Sequence, residues 1–399
     1  MRIVIAGHTY DPTLNGQGRF TVHLAEGLAR AGHQVTVIVP SDRGRAYATS
    51  QNNVCLQAIT ALPLTPLYGD VFVPPRAGAE AGPLLDTVRP EIVHIQDHYP
   101  LSRGVLRAAL KRGIPLIGTN HFLPENITPY VPIVSRFEQG RALLDRLLWK
   151  MVLDVFNRLD LATAPTETAA TILRRHALQV PVRAISCGVD VDRFRPDPHV
   201  NRTEICLRYG LDPQRTILLY VGRIAREKRL DVLLQALYRL QRDDVQLAIA
   251  GRGRDLAGLL AFASQLKLGR RVVFTGYVPS EDLPALLNSA DIFTMPSEAE
   301  LESIATLEAM ATGRPLLASD ARALPELVEH DVNGYLFQAG NIEDAARRMA
   351  ELVDRRDCWA AMGAASLAIV QRHDLSTMLR RYEALYYSLL ERLATGRTE

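Results

Sequence analysis

Short β-branched runs alternate with helix-period stretches along the whole chain, and that alternation leaves few folds open. Ile3-Val-Ile-Ala6 precedes a helical pattern over about residues 18 to 32, and Gln34-Val-Thr-Val-Ile-Val39 follows, which is a βαβ opening. Further candidate strands are Ile92-Val-His-Ile95, Pro115-Leu-Ile-Gly118, Leu161-Ala-Thr-Ala164 and Val182-Arg-Ala-Ile-Ser186. Each lies between helical stretches, so the first half reads as a parallel sheet covered on both faces. The second half repeats the pattern with Thr216–Val221, Val245–Ala250, Val272–Phe274, Ile292–Met295 and Leu316–Ala318. A length of 399 residues exceeds what one core organises, roughly 250 to 300, so two domains are expected.

Phe194-Arg-Pro-Asp-Pro-His-Val-Asn201 suits neither strand nor helix, and the boundary is placed there, near residue 195. This gives domains of residues 1–195 and 196–374. A last helix carries Leu379, Tyr382, Leu385, Tyr386 and Leu389 at helical spacing, and residues 375–399 are expected to cross back onto the first domain. Two facing α/β domains enclose a cleft, and ligands of such sheets bind beyond the carboxyl ends of the strands.

Composition narrows the class. Hydrophobic residues at 47% and charged residues at 23% are ordinary for a globular chain, which argues against bulk disorder. A net charge of +2 is too small to suggest nucleic acid, although roughly +5 falls before residue 195 and about −3 after it. Cys55, Cys187, Cys206 and Cys358 are too dispersed for a metal knuckle or a redox pair and read as thiols of a reducing compartment. The opening apolar run ends at Gly7-His8 without a cleavage site, and no run approaches the 18 or so residues of a membrane span. A cytoplasmic protein with at most peripheral membrane contact is expected.

Two loops carry chemistry. Ser297-Glu-Ala-Glu300-Leu-Glu-Ser303-Ile304-Ala-Thr-Leu-Glu308 places one carboxylate before a helix and another in its first turns. Backbone N–H groups near Ser303 and Ile304 would face a phosphate. About 75 residues earlier, Gly222-Arg223-Ile-Ala-Arg-Glu-Lys228 leaves a strand end just before a helix, so Arg223 and Lys228 can reach a phosphate too. Carboxylates for hydroxyls beside cations and amides for a diphosphate suit a nucleotide sugar. Each element alone also has an ordinary reading: a solvated basic helix start, and acids favoured by the helix dipole.

Glu300 and Glu308, with seven residues between them and Ala-Met-Ala-Thr-Gly-Arg-Pro315 following, resemble the E-x7-E element of the retaining glycosyltransferase family 4 enzymes. Val221–Lys228 resembles that family's phosphate-binding segment, and Gly188-Val-Asp190 its domain-joining motif. The resemblance implies a GT-B fold of two Rossmann-like domains, the first for the acceptor and the second for the donor. It implies that Arg223 and Lys228 contact the diphosphate, Glu308 the ribose and Glu300 the transferred sugar, with amides from Ser303 and Ile304 beside Gly222. Asn15-Gly16-Gln-Gly18 resembles the glycine loop that lets backbone approach donor and acceptor, and His121 matches the family's cleft histidine. Two departures, Leu301-Glu302-Ser303 after the first acid and Arg229 after the lysine, bear on the choice of sugar.

Two metal-like patterns are set aside. His94 and His98 have the spacing of a zinc helix but fall on a strand, where four residues span roughly 13 Å. Asp190-Val-Asp192 belongs to the domain-joining motif. With Arg223 and Lys228 supplying positive charge, no metal and no cofactor are expected. Arg136, Arg141, Arg146, Lys150 and Arg158 stand among leucines and Trp149, a stretch that packs on the sheet or lies on an anionic bilayer. His121–Asn126 and its surroundings resemble diacylglycerol glycosyltransferases, which favours a lipid acceptor.

The expected activity is retaining transfer of a hexose, glucose from a uridine diphosphate donor, to an acceptor hydroxyl such as that of diacylglycerol. The rivals are a GT-B-fold sugar-nucleotide epimerase and a non-catalytic sugar-nucleotide-binding protein. A dehydrogenase is disfavoured because Gly16 and Gly18 lack the dinucleotide spacing.

Overall fold

The computed structural model describes residues 1–11, 15–64, 72–124, 127–128, 131 and 137–395. Its chain divides into two compact units, Met1–Cys187 with the segment from Ser376, and Gly188–Leu375. The division falls at Cys187/Gly188, not near residue 195. Phe194 explains the difference: it is buried in the core of the second unit, and the Asp197 amide donates to Asn288 Oδ1 at 3.0 Å. The proline-bearing segment is therefore the first part of the second unit.

The first unit contains β1 (Arg2–Ala6), α1 (Gly16–Arg30), β2 (Gln34–Pro40), β3 (Tyr47–Gln51), β4 (Val54–Ile59) and a two-strand ribbon of β5 (Leu62–Pro63) and β6 (Phe72–Val73). It continues with α2 (Ala77–Val88), β7 (Ile92–Ile95), α3 (Pro100–Leu110), β8 (Leu116–Thr119), α4 (Glu138–Phe156), β9 (Leu161–Ala164), α5 (Glu167–Arg175) and β10 (Val182–Ala184). Sheet order is β10-β9-β8-β7-β1-β2-β4-β3, parallel except for β3, which runs antiparallel to β4. Polar, mostly exposed β3 and mixed β4 lack the apolar run of a central strand, and the sequence reading omits both.

In the second unit, α6 (Arg202–Arg208), β11 (Thr216–Val221), α7 (Leu230–Leu240), β12 (Val245–Ala250), α8 (Leu256–Gln265), β13 (Val272–Gly276) and α9 (Leu283–Ser289) come first. Then follow β14 (Ile292–Met295), α10 (Ile304–Ala311), β15 (Leu316–Asp320), β16 (Gly334–Gln338), α11 (Ile342–Asp354) and α12 (Trp359–Val370). Sheet order is β13-β12-β11-β14-β15-β16, parallel throughout. Both sheets are doubly wound, which is the pair of Rossmann-like units that defines the GT-B class.

The last helix, α13 (Leu375–Thr395), packs on the first sheet. Tyr386 donates to, or accepts from, His94 Nδ1 at 2.7 Å, and Tyr382 lies 3.2 Å from both Thr119 and Thr163 hydroxyls. Gly27 of α1 makes room for it, since a Cβ there would stand 2.4 Å from the Leu379 side chain. Residues 396–399 of the expected 375–399 segment lie outside the described residues, as do Glu125, Asn126 and Arg136. Among the described residues no helix is long and apolar enough to cross a membrane.

Candidate functional site

β11 and β14 are neighbours in the second sheet, but the chain leaves them for opposite edges. Loops at their carboxyl ends therefore diverge, and the gap between them is where a doubly wound sheet takes a ligand. Beyond β11, Gly222 has φ 154°, a region that side chains rarely adopt. A Cβ at Gly251 would lie 1.9 Å from the Gly222 carbonyl oxygen, and one at Gly253 1.9 Å from that of Ile224. The loops after β11 and β12 can run in contact because those two positions have no side chain.

One 3-10 turn, Arg226–Lys228, ends at Arg229 in the left-handed region, and this turn carries Lys228 toward the loop after β14. Lys228 Nζ donates to Glu300 Oε1, and the side chains are only 16% and 10% exposed. Backbone contacts join the loops as well: the Glu298 amide donates to the Glu227 carbonyl at 3.0 Å, and Ser297 Oγ to the same oxygen at 3.2 Å. Arg223, which is exposed, donates to buried Glu227 Oε1 at 2.6 Å. Arg229 pairs with Glu298 and Asp231. Burial, together with Glu300 and Glu227, raises the Tyr220 phenol well above its ordinary pKa, so it stays protonated and donates to the Arg223 carbonyl at 2.8 Å.

On the other side, Ser303 caps α10, its hydroxyl accepting from the Thr306 amide at 3.2 Å. The first amides of α10, from Ile304 on, have no acceptor within the helix. Glu308 sits in the second turn with 2% exposure, and Glu302 lies 3.2 Å from His373 Nδ1. The second unit thus carries Gly222, Arg223 and Lys228 after β11, and Glu300, Ser303, Ile304 and Glu308 after the adjacent β14, with Lys228 and Glu300 in contact across the junction. Arg252 and exposed Tyr277, which follow β12 and β13, were not singled out from sequence; the guanidinium lies 5.2 Å from the ring centroid. Their signal was the Gly251-Arg-Gly253 and Gly276-Tyr steps at strand ends.

Sequence comparisons bear on this arrangement. Residues 201–366 match the model described as glycosyl transferases group 1, and residues 14–193 match that of glycosyltransferase family 4. The chain belongs to glycosyltransferase family 4. Among its relatives are the sulfoquinovosyl transferase SQD2 of Arabidopsis thaliana, 26% identical over 72% of this chain and 54% of that one, and a GDP-mannose-dependent phosphatidylinositol monomannoside mannosyltransferase of Mycobacterium tuberculosis, 37% identical over 45% and 48%. The chain spans about half the length of these two relatives. The alpha-monoglucosyldiacylglycerol synthase of Streptococcus pneumoniae is 25% identical over 85% of this chain and 78% of its own. Among solved structures, Anabaena HepE in complex with UDP-glucose shares the fold with a TM-score of 0.76, covering 97% of this chain and 99% of that one at 20% identity.

The first unit of this family 4 chain has its own switch point, between β1 and β7, whose following helices lead to opposite edges. Asp97 organises it. Its carboxylate accepts from the His8 amide at 2.7 Å, Gln17 Nε2 at 3.0 Å, Ser102 Oγ at 2.6 Å and the Tyr99 amide at 3.0 Å. His121 Nε2 lies 3.1 Å from Gln96 Oε1, and its ring packs 4.8 Å from Phe20. Burial lowers the His121 pKa to about 4 against the opposing pull of Asp97, so the ring is neutral near pH 7. With Gln96 Oε1 as acceptor, Nε2 carries the proton and Nδ1 is left as an acceptor; this tautomer is assigned from the hydrogen bond.

Gly16 and Gly18 lie in the first turn of α1, not in a loop before it. Asn15 caps the helix by accepting from the Gly18 amide at 2.8 Å, and a Cβ at Gly18 would stand 2.2 Å from the Asp11 carbonyl oxygen. His94 is held between Tyr386 and Thr119, each at 2.7 Å, and burial lowers its pKa to about 3. β7 ends at Ile95, so His98 lies beyond the strand, packed against Tyr99 and Phe122. Asp190 accepts from the amides of Asp192 and Arg193, the pattern of a turn. Sequence reasoning missed a polar group here: among the described residues, His8 Nδ1 and Nε2, Tyr10 Oη, Gln96 Nε2 and His98 Nδ1 are buried without a hydrogen-bond partner. Their signal was position, directly after β1 and β7.

Proposed function

We propose that this chain transfers a hexose, glucose from UDP-glucose, to the hydroxyl of a lipid acceptor such as diacylglycerol, with retention at the anomeric carbon. The observation that carries the reading is the meeting of Lys228 with Glu300, beside Arg223 and the amino end of α10, at one strand junction. The two cations and the α10 amides neutralise the departing diphosphate, and such preorganised charge is often the largest single catalytic contribution. Glu300 takes hydroxyls of the transferred sugar and Glu308 those of the ribose. The acceptor hydroxyl attacks on the face from which the diphosphate leaves, and the leaving oxygen takes its proton, so no side-chain nucleophile, metal or cofactor enters the step. A glycosyl adduct trapped on Glu300 would overturn that mechanism.

The first unit is assigned the acceptor, supported by the partnerless buried polar atoms of His8, Tyr10 and His98, which an incoming hydroxyl compound would satisfy. His121, neutral and with Nδ1 able to accept, is assigned to a hydroxyl of the transferred sugar, with the Gly16–Gly18 turn giving backbone access. The choice of a lipid acceptor is supported by relatives whose names contain diacylglycerol and phosphatidylinositol, and it includes peripheral contact with an anionic membrane. The GDP-mannose-dependent relatives make mannose the rival sugar, so UDP-glucose and GDP-mannose are to be compared side by side.

Arg223→Ala removes one contact to the leaving group, and about 3 kcal/mol of barrier corresponds to a loss of a hundredfold or more in turnover. Full activity in that variant rejects the assignment. Lipid extracts of cells expressing the wild type or Glu300→Ala, compared by mass spectrometry, identify the product. Labelled donor incubated without acceptor separates the rivals: a free isomerised sugar marks an epimerase, and binding without any turnover marks a sensor.

A further inference from the structure

A cavity of about 670 Å³ opens on the first unit between α4 and the end of α5, and none of the strand-end residues assigned above lines it. Trp149, buried on α4, forms a wall by stacking on His176 at 4.1 Å between centroids. Arg146, Lys150 and Arg158 line the cavity and are exposed. Among the described residues none of the three forms an ion pair with an acid, whereas Arg112, Arg202 and Arg242 are each bound to an aspartate. Two carboxylates share the lining: Asp145, which accepts from the Thr128 hydroxyl at 2.5 Å, and exposed Asp154. On the outer side of the same helix Leu143 and Leu147 are 67% and 54% exposed.

We propose that this cavity binds the headgroup of an anionic phospholipid carrying hydroxyls, of the phosphatidylglycerol type, in a bilayer surface. Three cations against two acids leave positive charge for one phosphodiester, and guanidinium and ammonium groups suit its oxygens. Asp154 supplies an acceptor for headgroup hydroxyls, which a site for bare phosphate would not need. The volume falls in the range of small-molecule sites. Leu143 and Leu147, one helical turn apart, lie where acyl chains would begin, so headgroup and apolar contacts come from one helix. The proposal deepens the membrane part of the reading above and does not depend on which sugar is transferred.

The test uses the full chain without nucleotide sugar and measures cosedimentation with two kinds of phosphatidylcholine vesicle. One contains phosphatidylglycerol, and the other contains oleate matched to the same surface potential. The wild type is expected to bind the phosphatidylglycerol vesicles about tenfold more tightly. Lys150→Gln and Arg158→Gln are expected to abolish that preference. Arg141→Gln, on the same helix but outside the cavity, should weaken binding to both vesicles by about the fivefold of one diffuse surface charge and leave the ratio unchanged. Equal binding to the two vesicles, or an equal effect of Arg141→Gln on the ratio, reduces the site to diffuse electrostatics and overturns the proposal. Thermal stabilisation by millimolar inorganic phosphate, lost in Lys150→Gln and unaccompanied by vesicle preference, reassigns the cavity to free phosphate and also overturns it. Transfer assayed in neutral detergent micelles should be unchanged in Lys150→Gln, so failure of the transferase reading shows separately.

Discussion

Replacing Lys228 by methionine tests whether the Lys228–Glu300 pair acts in catalysis or only in folding. With the pair 16% and 10% exposed, its removal leaves the Glu300 carboxylate largely desolvated and without its cation. Breaking a fully buried pair costs about 3 to 5 kcal/mol, and the residual solvent contact here scales the expected loss of stability to about 2 kcal/mol. In the proposed role of Lys228, catalysis loses a charge facing the departing diphosphate, about 3 kcal/mol, or roughly 150-fold in kcat. The two effects separate in the double variant Lys228→Met/Glu300→Gln, where no stranded charge remains. Its unfolding midpoint should recover most of the loss, while kcat stays at or below that of the single variant. Initial rates with UDP-glucose and diacylglycerol in mixed micelles, together with urea unfolding, read both quantities. A Lys228→Met enzyme within threefold of wild-type kcat would refute the reasoning, and so would a double variant that regains activity along with stability.

Further substitutions probe the frame around the site. Gly253→Ala forces a Cβ to within 1.9 Å of the Ile224 carbonyl oxygen, so it should cost about 1 to 3 kcal/mol and raise the donor KM by displacing the loop of Arg223. Gly258→Ala, inside α8 with nothing within 4 Å of the new Cβ, should instead stabilise the protein by up to about 1 kcal/mol, which urea titration can check. His94 and His121 have folded pKa values of about 3 and about 4, below the 6.5 of the unfolded chain, so between these limits the unfolded state binds more protons. Stability is therefore full above pH 6.5 and falls as the pH drops toward 4 for His121 and toward 3 for His94. At pH 5 the His94 contribution alone is a loss of about 2 kcal/mol, and His94→Gln should flatten the pH profile of the unfolding midpoint.

Much of this arrangement was legible in the sequence because the residues concerned follow strand ends. Val221 and Met295 end two of the clearest apolar runs, so Arg223, Lys228 and Glu300 could be placed in loops at the ligand-binding edge before any pairing was known. The domain boundary was harder to read. Two prolines marked the segment after Phe194 as irregular, but only the packing of Phe194 itself shows which unit owns it. α1 is expected at about residue 18 because Gly16 and Gly18 read as a loop, whereas the Asn15 cap offsets the helix cost of glycine and starts the helix at Gly16. Edge strand β3 is polar and mostly exposed, and in β16 the apolar run is only Tyr335-Leu336-Phe337, too short to stand out as a strand.

Pairing is the part that local pattern does not contain. Lys228 and Glu300 meet because β14 inserts beside β11, and not beside β13, which precedes it in the chain. The same kind of insertion, β7 beside β1, brings the loop of Gln96, Asp97 and His98 against His8. In each case a β-strand returns to the middle of the sheet after the chain has gone to one edge, and polar residues from distant parts of the sequence converge where it does. At the second junction Lys228 is held by Glu300 and Arg223 by Glu227, so a donor bound as proposed would compete for both cations. At the first, several buried nitrogens and a phenol have no partner, so an acceptor would gain hydrogen bonds without displacing any. Deleting such a group should therefore act differently in the two units. His98→Phe, which keeps the ring packing against Tyr99 and Phe122, should leave stability near wild type and raise the acceptor KM alone, whereas Lys228→Met should lower stability and kcat together. A His98→Phe enzyme with unchanged acceptor KM would remove His98 from the acceptor site.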